Sequence, residues 1–196
     1  NVKTLILDEA DKLMDKTYLE SILFIRKSLM KRTQVLLFSA SISNKTIKQA
    51  NTITYNPVIY ELSKENKELI PKTIKHIFII SDRRERIETL RKIAKAVNSD
   101  KTMIFINTKY DLEESLQKLQ YHNYNVAALA GNIDKQSKKK AVEDFQNGRL
   151  QYLLATDVAA RGLQIDHVST VINVNLPEEP TEYLHRAGRC GRNNEQ

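Results

Sequence analysis

At 196 residues the chain is long enough for one large domain or two small ones, with a substantial core in either case. Its 41% hydrophobic and 28% charged residues are those of a soluble globular protein, and Lys plus Arg outnumber Asp plus Glu by 31 to 24, a net charge of +7 that favours a polyanionic partner. A lone cysteine, Cys190, excludes an internal disulfide, no apolar run nears the roughly 20 residues that span a bilayer, and the N-terminus lacks the layout of a signal peptide. An intracellular protein without a membrane partner, acting as a monomer, is the expectation.

Residues 2–7 form an apolar run ending in acids, which predicts a buried parallel strand whose carboxyl end carries Asp8 and Glu9. Open α/β sheets put their ligand sites at such ends. Leu19, Ile22, Leu23, Ile25 and Leu29 recur at helical spacing and predict an amphipathic helix over 18–30. A second buried strand is predicted over 33–40, leading into Ser39-Ala-Ser41. Ser43 or Asn44 can cap a short helix through about Ala50, and 58–61 reads as a further strand.

Residues 62–73 are polar and contain Pro71, which suits a linker. Beyond it the alternation restarts with a strand at 74–80, a helix at 84–97 and a strand at 102–106. Thr108 and Asp111 suit the start of a helix bearing Leu112, Leu116 and Leu119. A strand at 126–130 precedes a helix capped by Asp134 and stopped near Gly148. Strands at 150–155 and 170–174 and a final helix entered at Pro180 complete the pattern. Such alternation implies an α/β fold with parallel strands and crossover helices, divided into 1–61, a linker at 62–73, and 74–196.

In His185-Arg-Ala-Gly-Arg-Cys-Gly-Arg192, arginines recur at spacings of three around Gly188 and Gly191. Guanidinium forks match phosphate oxygens two at a time, so Arg186, Arg189 and Arg192 read as a phosphate clamp. The other end of the chain, Leu5-Ile-Leu-Asp-Glu-Ala-Asp11, offers the acids that such a clamp needs opposite it. Taken with Ser39-Ala-Ser41 and Ala155-Thr-Asp-Val-Ala-Ala-Arg-Gly162, these segments resemble the successive motifs of the DEAD-box RNA helicases, from the first residues to the last.

The resemblance implies a partial first RecA-like domain joined to a nearly complete second one, with ATP, Mg²⁺ and RNA bound between them. It implies that Asp8 holds Mg²⁺ through water, that Glu9 orients or deprotonates the attacking water, and that Arg189 and Arg192 are arginine fingers on the γ-phosphate. It assigns Asp11, Ser39, Ser41 and His185 to coupling between domains, and Gln164 and Arg161 to the ATP site beside the two fingers. Phe105, Asn107, Thr108, Gly131, Gln136 and Thr156 would serve the backbone of a single RNA strand or a short duplex, so base specificity is not expected.

Three positions depart from the family pattern. Gln164 replaces the Asp that meets the ribose, Ser41 replaces a Thr, and Gln136-Ser-Lys-Lys139 ends in Lys where an Arg is usual. A loop of the form Gly-x-x-x-x-Gly-Lys-Ser/Thr follows none of the five glycines. The chain therefore reads as a piece of a larger helicase, inactive as an ATPase by itself. The rival readings are a non-catalytic RNA-binding or scaffold module of helicase shape, and a helicase directed to DNA, which differs in its indifference to a 2′-OH.

Overall fold

The computed structural model describes residues 2–39, 43–60, 73–130, 133–163, 165 and 168–190. The chain divides into two units, Asn1–Glu65 and Asn66–Gln196. Apart from Thr73, the linker expected at 62–73 lies outside the described residues.

In the first unit, strand β1 (Thr4–Leu7) pairs in parallel with β2 (Gln34–Leu37), Thr4 opposite Gln34 and Leu7 opposite Leu37. Helices α1 (Ala10–Leu13) and α2 (Lys16–Ser28) connect them, and α3 (Asn44–Ala50) follows. Side chains alternate across a strand, so Leu5, Leu7, Val35 and Leu37 share one face and pack with Met14, Leu19, Ile22, Leu23 and Ile53. Ile6, on the other face, is 59% exposed. The strand expected to be buried is thus buried on one side only, because the described helices cover that side. Arg26 closes the unit by donating from Nε to the Ile53 carbonyl at 2.9 Å. Ser43 caps α3 as expected, its Oγ accepting from the Thr46 amide at 3.1 Å.

In the second unit a short 3-10 turn (Arg83–Glu85) leads into α4 (Arg86–Val97), then β3 (Thr102–Phe105), α5 (Lys109–Tyr121), β4 (Val126–Leu129) and α6 (Lys135–Gln146). There follow β5 (Tyr152–Ala155), α7 (Asp157–Ala160), β6 (Thr170–Asn173) and α8 (Pro180–Ala187). The strands form one parallel sheet in the order β4-β5-β3-β6. Ile104, Leu154 and Tyr152 pack with Leu90 and Ala94 of α4 and with Leu112 and Leu119 of α5. Met103, Phe105 and Leu153 pack on the opposite face with Phe145 of α6 and Ala159 and Ala160 of α7. With helices on both faces, β3 and β5 are buried at every position.

Local chemistry sets the helix ends of this unit. Thr108 Oγ1 accepts from the Asp111 amide at 3.1 Å, and Asp134 Oδ1 accepts from the Gln136 and Ser137 amides at 3.0 and 2.9 Å. Hydrogen bonds from the Ser137 side chain and amide hold the Asp134 carboxyl below the usual carboxylate range. Gly148, at φ +73°, supplies the left-handed turn that ends the α6 region.

Two expected strands are corrected. Residues 58–60 and 74–80 form no strand, and Val58, Tyr60, Ile77, Phe78 and Ile80 are exposed. β-branched and aromatic residues favour extended backbone, but a strand exists only where its amides and carbonyls find a neighbour, and none of the described strands pairs with either segment. Conversely, α1 and α7 were not expected. Each is a single turn, too short for periodicity to register. Among the described residues no helix is long and apolar enough to cross a membrane.

Candidate functional site

Among the described candidates, Asp8, Glu9 and Ser39 in the first unit and Asn107, Thr108 and Thr156 in the second lie just beyond the carboxyl ends of strands. In the first unit Asp8 and Glu9 follow β1 and are exposed. The Glu9 amide donates to Asp8 Oδ1 at 2.9 Å, and Glu9 itself adopts φ 51°, ψ 46°. A left-handed backbone costs a residue with a Cβ on the order of 1–2 kcal/mol. Strain held at a carboxylate beyond a strand end is characteristic of functional positions. One turn later the Asp11 amide donates to Ser39 Oγ at 3.2 Å, and the Ala10 amide donates to the Phe38 carbonyl at 2.9 Å. The acidic motif and the serine motif are therefore bonded to each other. Ser41 lies outside the described residues.

Among the described residues no group of three or more His, Cys, Asp or Glu side chains is arranged to hold a metal by itself. Mg²⁺ needs no such group, since it keeps several waters and takes one or two carboxylates besides phosphate oxygens. Asp8, exposed at a strand end, is a fitting donor.

In the second unit the organising side chain is Arg186, near the end of α8 and 1% exposed. Its Nε donates to Asp157 Oδ1 at 2.7 Å and its Nη2 to Asp157 Oδ2 at 2.6 Å, a two-pronged ion pair with the first residue of α7. Nη1 reaches Asn173 Oδ1 at 3.0 Å and the Asn175 carbonyl at 2.8 Å, beyond β6. Nη2 also reaches Asn107 Oδ1 at 2.9 Å, beyond β3. The guanidinium lies 5.0 Å from the centre of the Phe105 ring. This corrects the reading of Arg186 as part of a phosphate clamp: its donors are spent inside the unit.

Around this hub Asn107 is held further by its amide, which donates to Asn175 Oδ1 at 3.2 Å, and by Nδ2, which donates to the Leu176 carbonyl at 3.3 Å. Thr108 and Thr156 cap α5 and α7. Phe105 is 2% exposed, so its ring supports Arg186 from beneath and does not face solvent. Arg161 Nη2 pairs with Glu182 Oε1 of α8 at 2.9 Å. Arg189 Nη1 donates to the Leu163 carbonyl at 2.6 Å. His185 occupies the last turn of α8. Gln136 is exposed in the first turn of α6, and Lys139 pairs with Glu143 at 3.6 Å.

Gly188 has an ordinary φ of −66°, so its place is explained by crowding and not by a special turn: a Cβ there would meet the Leu184 carbonyl at 3.1 Å. Gly131, Gln164, Gly191 and Arg192 lie outside the described residues. Asp157, Asn173 and Asn175 were not anticipated. Their sequence signal was polar side chains at the ends of apolar strands, where burial demands a partner.

Burial pushes the Cys190 thiol up from 9.0 to about 11. At that value it stays protonated at neutral pH.

Residues 1–50 match the model of the DEAD/DEAH box helicases, and residues 85–194 match that of the helicase conserved C-terminal domain. The chain is 33% identical over 192 residues to the DEAD-box ATP-dependent RNA helicase CshC of Bacillus cereus, covering 97% of the chain and 48% of that protein. It is 35% identical over 197 residues to the ATP-dependent RNA helicase DBP3 of Saccharomyces cerevisiae, covering 97% of the chain and 38% of DBP3. It superimposes on S. cerevisiae Dbp5 bound to RNA and ADP BeF3 with a TM-score of 0.87 at 29% identity, over 99% of the chain and 51% of Dbp5. The chain thus spans about half the length, or less, of the relatives it matches. Parallel sheets with flanking helices, motif residues at the strand ends and matches along both units show that the chain belongs to the DEAD-box helicases.

Proposed function

We propose that the protein of which this chain forms part is an ATP-dependent RNA helicase. The observation that carries this reading is that Asn107 and Thr108 follow β3 and Thr156 follows the neighbouring β5, two strand ends that the buried Arg186 guanidinium joins through Asn107 and Asp157. Polar groups at the ends of adjacent parallel strands, Asn107 and Thr108 exposed and Thr156 half-buried, in a chain of positive net charge, are fitted to the sugar-phosphate backbone. In this reading Asn107, Thr108, Gly131, Gln136 and Thr156 grip the strand, with Phe105 supporting them.

ATP is served by residues of both units. Asp8 would hold Mg²⁺ through water, and the bound ion would supply charge neutralisation at the phosphates. Glu9 holds and activates the attacking water. Arg189 and Arg192 stabilise the negative charge that grows on the γ-phosphoryl group, with Arg161 and Gln164 beside them. Asp11, Ser39, Ser41 and His185 link the nucleotide state to the grip on RNA, which favours local opening of short duplexes over long tracking. The bond from the Asp11 amide to Ser39 supports the first part of that link.

The test is RNA-stimulated ATP hydrolysis by the full-length protein. Glu9→Gln is expected to lower kcat by about 10²- to 10⁴-fold, the range of a lost general base, and Arg189→Ala by about 10³- to 10⁵-fold, that of a lost finger. The 196-residue chain alone is expected to bind RNA weakly and to turn over little ATP. RNA affinity that ignores ATP, with turnover indifferent to Glu9, would support the scaffold reading instead. Equal affinity for matched RNA and DNA strands would remove the preference for RNA.

A further inference from the structure

We propose that Arg186 is a positioning residue for RNA contact, acting through Asn107, an inference that rests on the RNA reading above. A buried ion pair is weak evidence for a stabilising role, because well-packed apolar residues can often replace one without loss. What a guanidinium adds is fixed direction: a planar fork aims each donor at a set angle, which an ammonium cannot do. Arg186 uses that fork to join three strand ends, Asn107 after β3, Asp157 after β5, and Asn173 with Asn175 around the end of β6. The Phe105 ring closes the fifth side at 5.0 Å.

Asn107 is the member of this set that faces solvent. Its Oδ1 is fixed by Arg186, one Nδ2 hydrogen goes to the Leu176 carbonyl, and its main-chain amide goes to Asn175. An Asn side chain has two Nδ2 hydrogens. Orientation by Arg186 therefore decides where the second hydrogen points, and a phosphate or ribose oxygen is the acceptor suited to it. Without the fork the amide can rotate and the contact becomes intermittent.

In the full-length protein, Arg186→Lys keeps the charge and loses the fork. It is expected to stay folded at the assay temperature and to raise the Kd for single-stranded RNA about tenfold, the size of one lost charge-assisted bond. KM for RNA should rise with it while KM for ATP stays within about twofold, a split that general destabilisation does not produce. Asn107→Ala should have a similar effect, and the double substitution should add nothing beyond the larger single effect. An unchanged RNA Kd in folded Arg186→Lys, or additive effects, would overturn the proposal.

Hydrogen exchange separates this inference from the RNA reading. In Arg186→Lys, amides at 106–109 should lose protection while those of β5 keep theirs, whether or not RNA binds. Selective loss in a protein without RNA affinity would remove the RNA reading and with it the role in RNA contact, leaving Arg186 as an organiser of strand ends. Uniform loss, or none, would overturn the positioning role itself. Should Arg186→Lys not fold, Asn173→Ala removes one acceptor of the same guanidinium, leaves its pair with Asp157 intact, and carries the same readouts.

Discussion

The two parallel sheets of this chain solve the same problem to different depths. In the second unit helices lie on both faces, and β3 and β5 are buried from end to end. In the first, β1 and β2 share one small core and leave Ile6 in solvent. The difference teaches that a strand's apolar composition does not decide its burial; the number of covered faces does. It also separates two ways of holding a site. The second unit fixes Asn107 and Asp157 through a buried arginine, whereas the first holds its acids with a strained turn at Glu9 and a bond from Asp11 to Ser39.

The contrast can be broken most forcefully in the cores. In the 196-residue chain, Leu153→Ala should cost about 2–5 kcal/mol by urea unfolding, as fully buried leucines do, while Ile6→Ala should change stability by less than about 0.5 kcal/mol. Comparable losses would mean that Ile6 is buried in solution and the contrast is wrong.

A smaller effect is expected from polar anchors. Ser39→Ala removes the acceptor of the Asp11 amide and should cost about 1 kcal/mol, seen as faster hydrogen exchange at Asp11. Asp134→Ala removes the cap of α6 and should also cost about 1 kcal/mol. The two together ask whether an anchor is worth as much in the thin unit as in the thick one, and a much larger loss for Ser39→Ala would show that the first unit depends on it.

The smallest effect is confined to alkaline solution. The Cys190 thiol is raised from 9.0 to about 11 by burial, so the folded state holds this proton more tightly than the unfolded state does. Its contribution is complete below pH 9.0 and is lost as pH rises through about 11. The melting temperature of the wild type should fall relative to Cys190→Ala across that window and run parallel to it at neutral pH. Parallel behaviour throughout would place the thiol in contact with water.

Much of this architecture was legible where the chemistry is local. The helix starts at Ser43, Thr108, Asp134 and Pro180 depend on one side chain or one ring each, and the apolar runs of β3, β4, β5 and β6 are short and bounded. The placement of Asp8, Glu9, Asn107 and Thr156 at strand ends was likewise visible from the order of elements. Residues 58–60 and 74–80 misled because a strand is a property of two segments, and composition describes one. Arg186 misled for the opposite reason. A cationic residue in an arginine-rich turn reads as a surface ligand, and nothing in its neighbours reveals that Asp157, Asn173 and Asn107, far away in sequence, enclose it.

The exposed run Ile77-Phe78-Ile79-Ile80 carries a colloidal consequence. Four uncharged β-formers with Ile80 90% exposed are material for pairing between molecules, a pairing that the net charge of +7 opposes. Added salt shortens the reach of that repulsion to about 8 Å at physiological strength. Self-association measured by light scattering should therefore grow with salt, while the RNA affinity proposed above should decline with it.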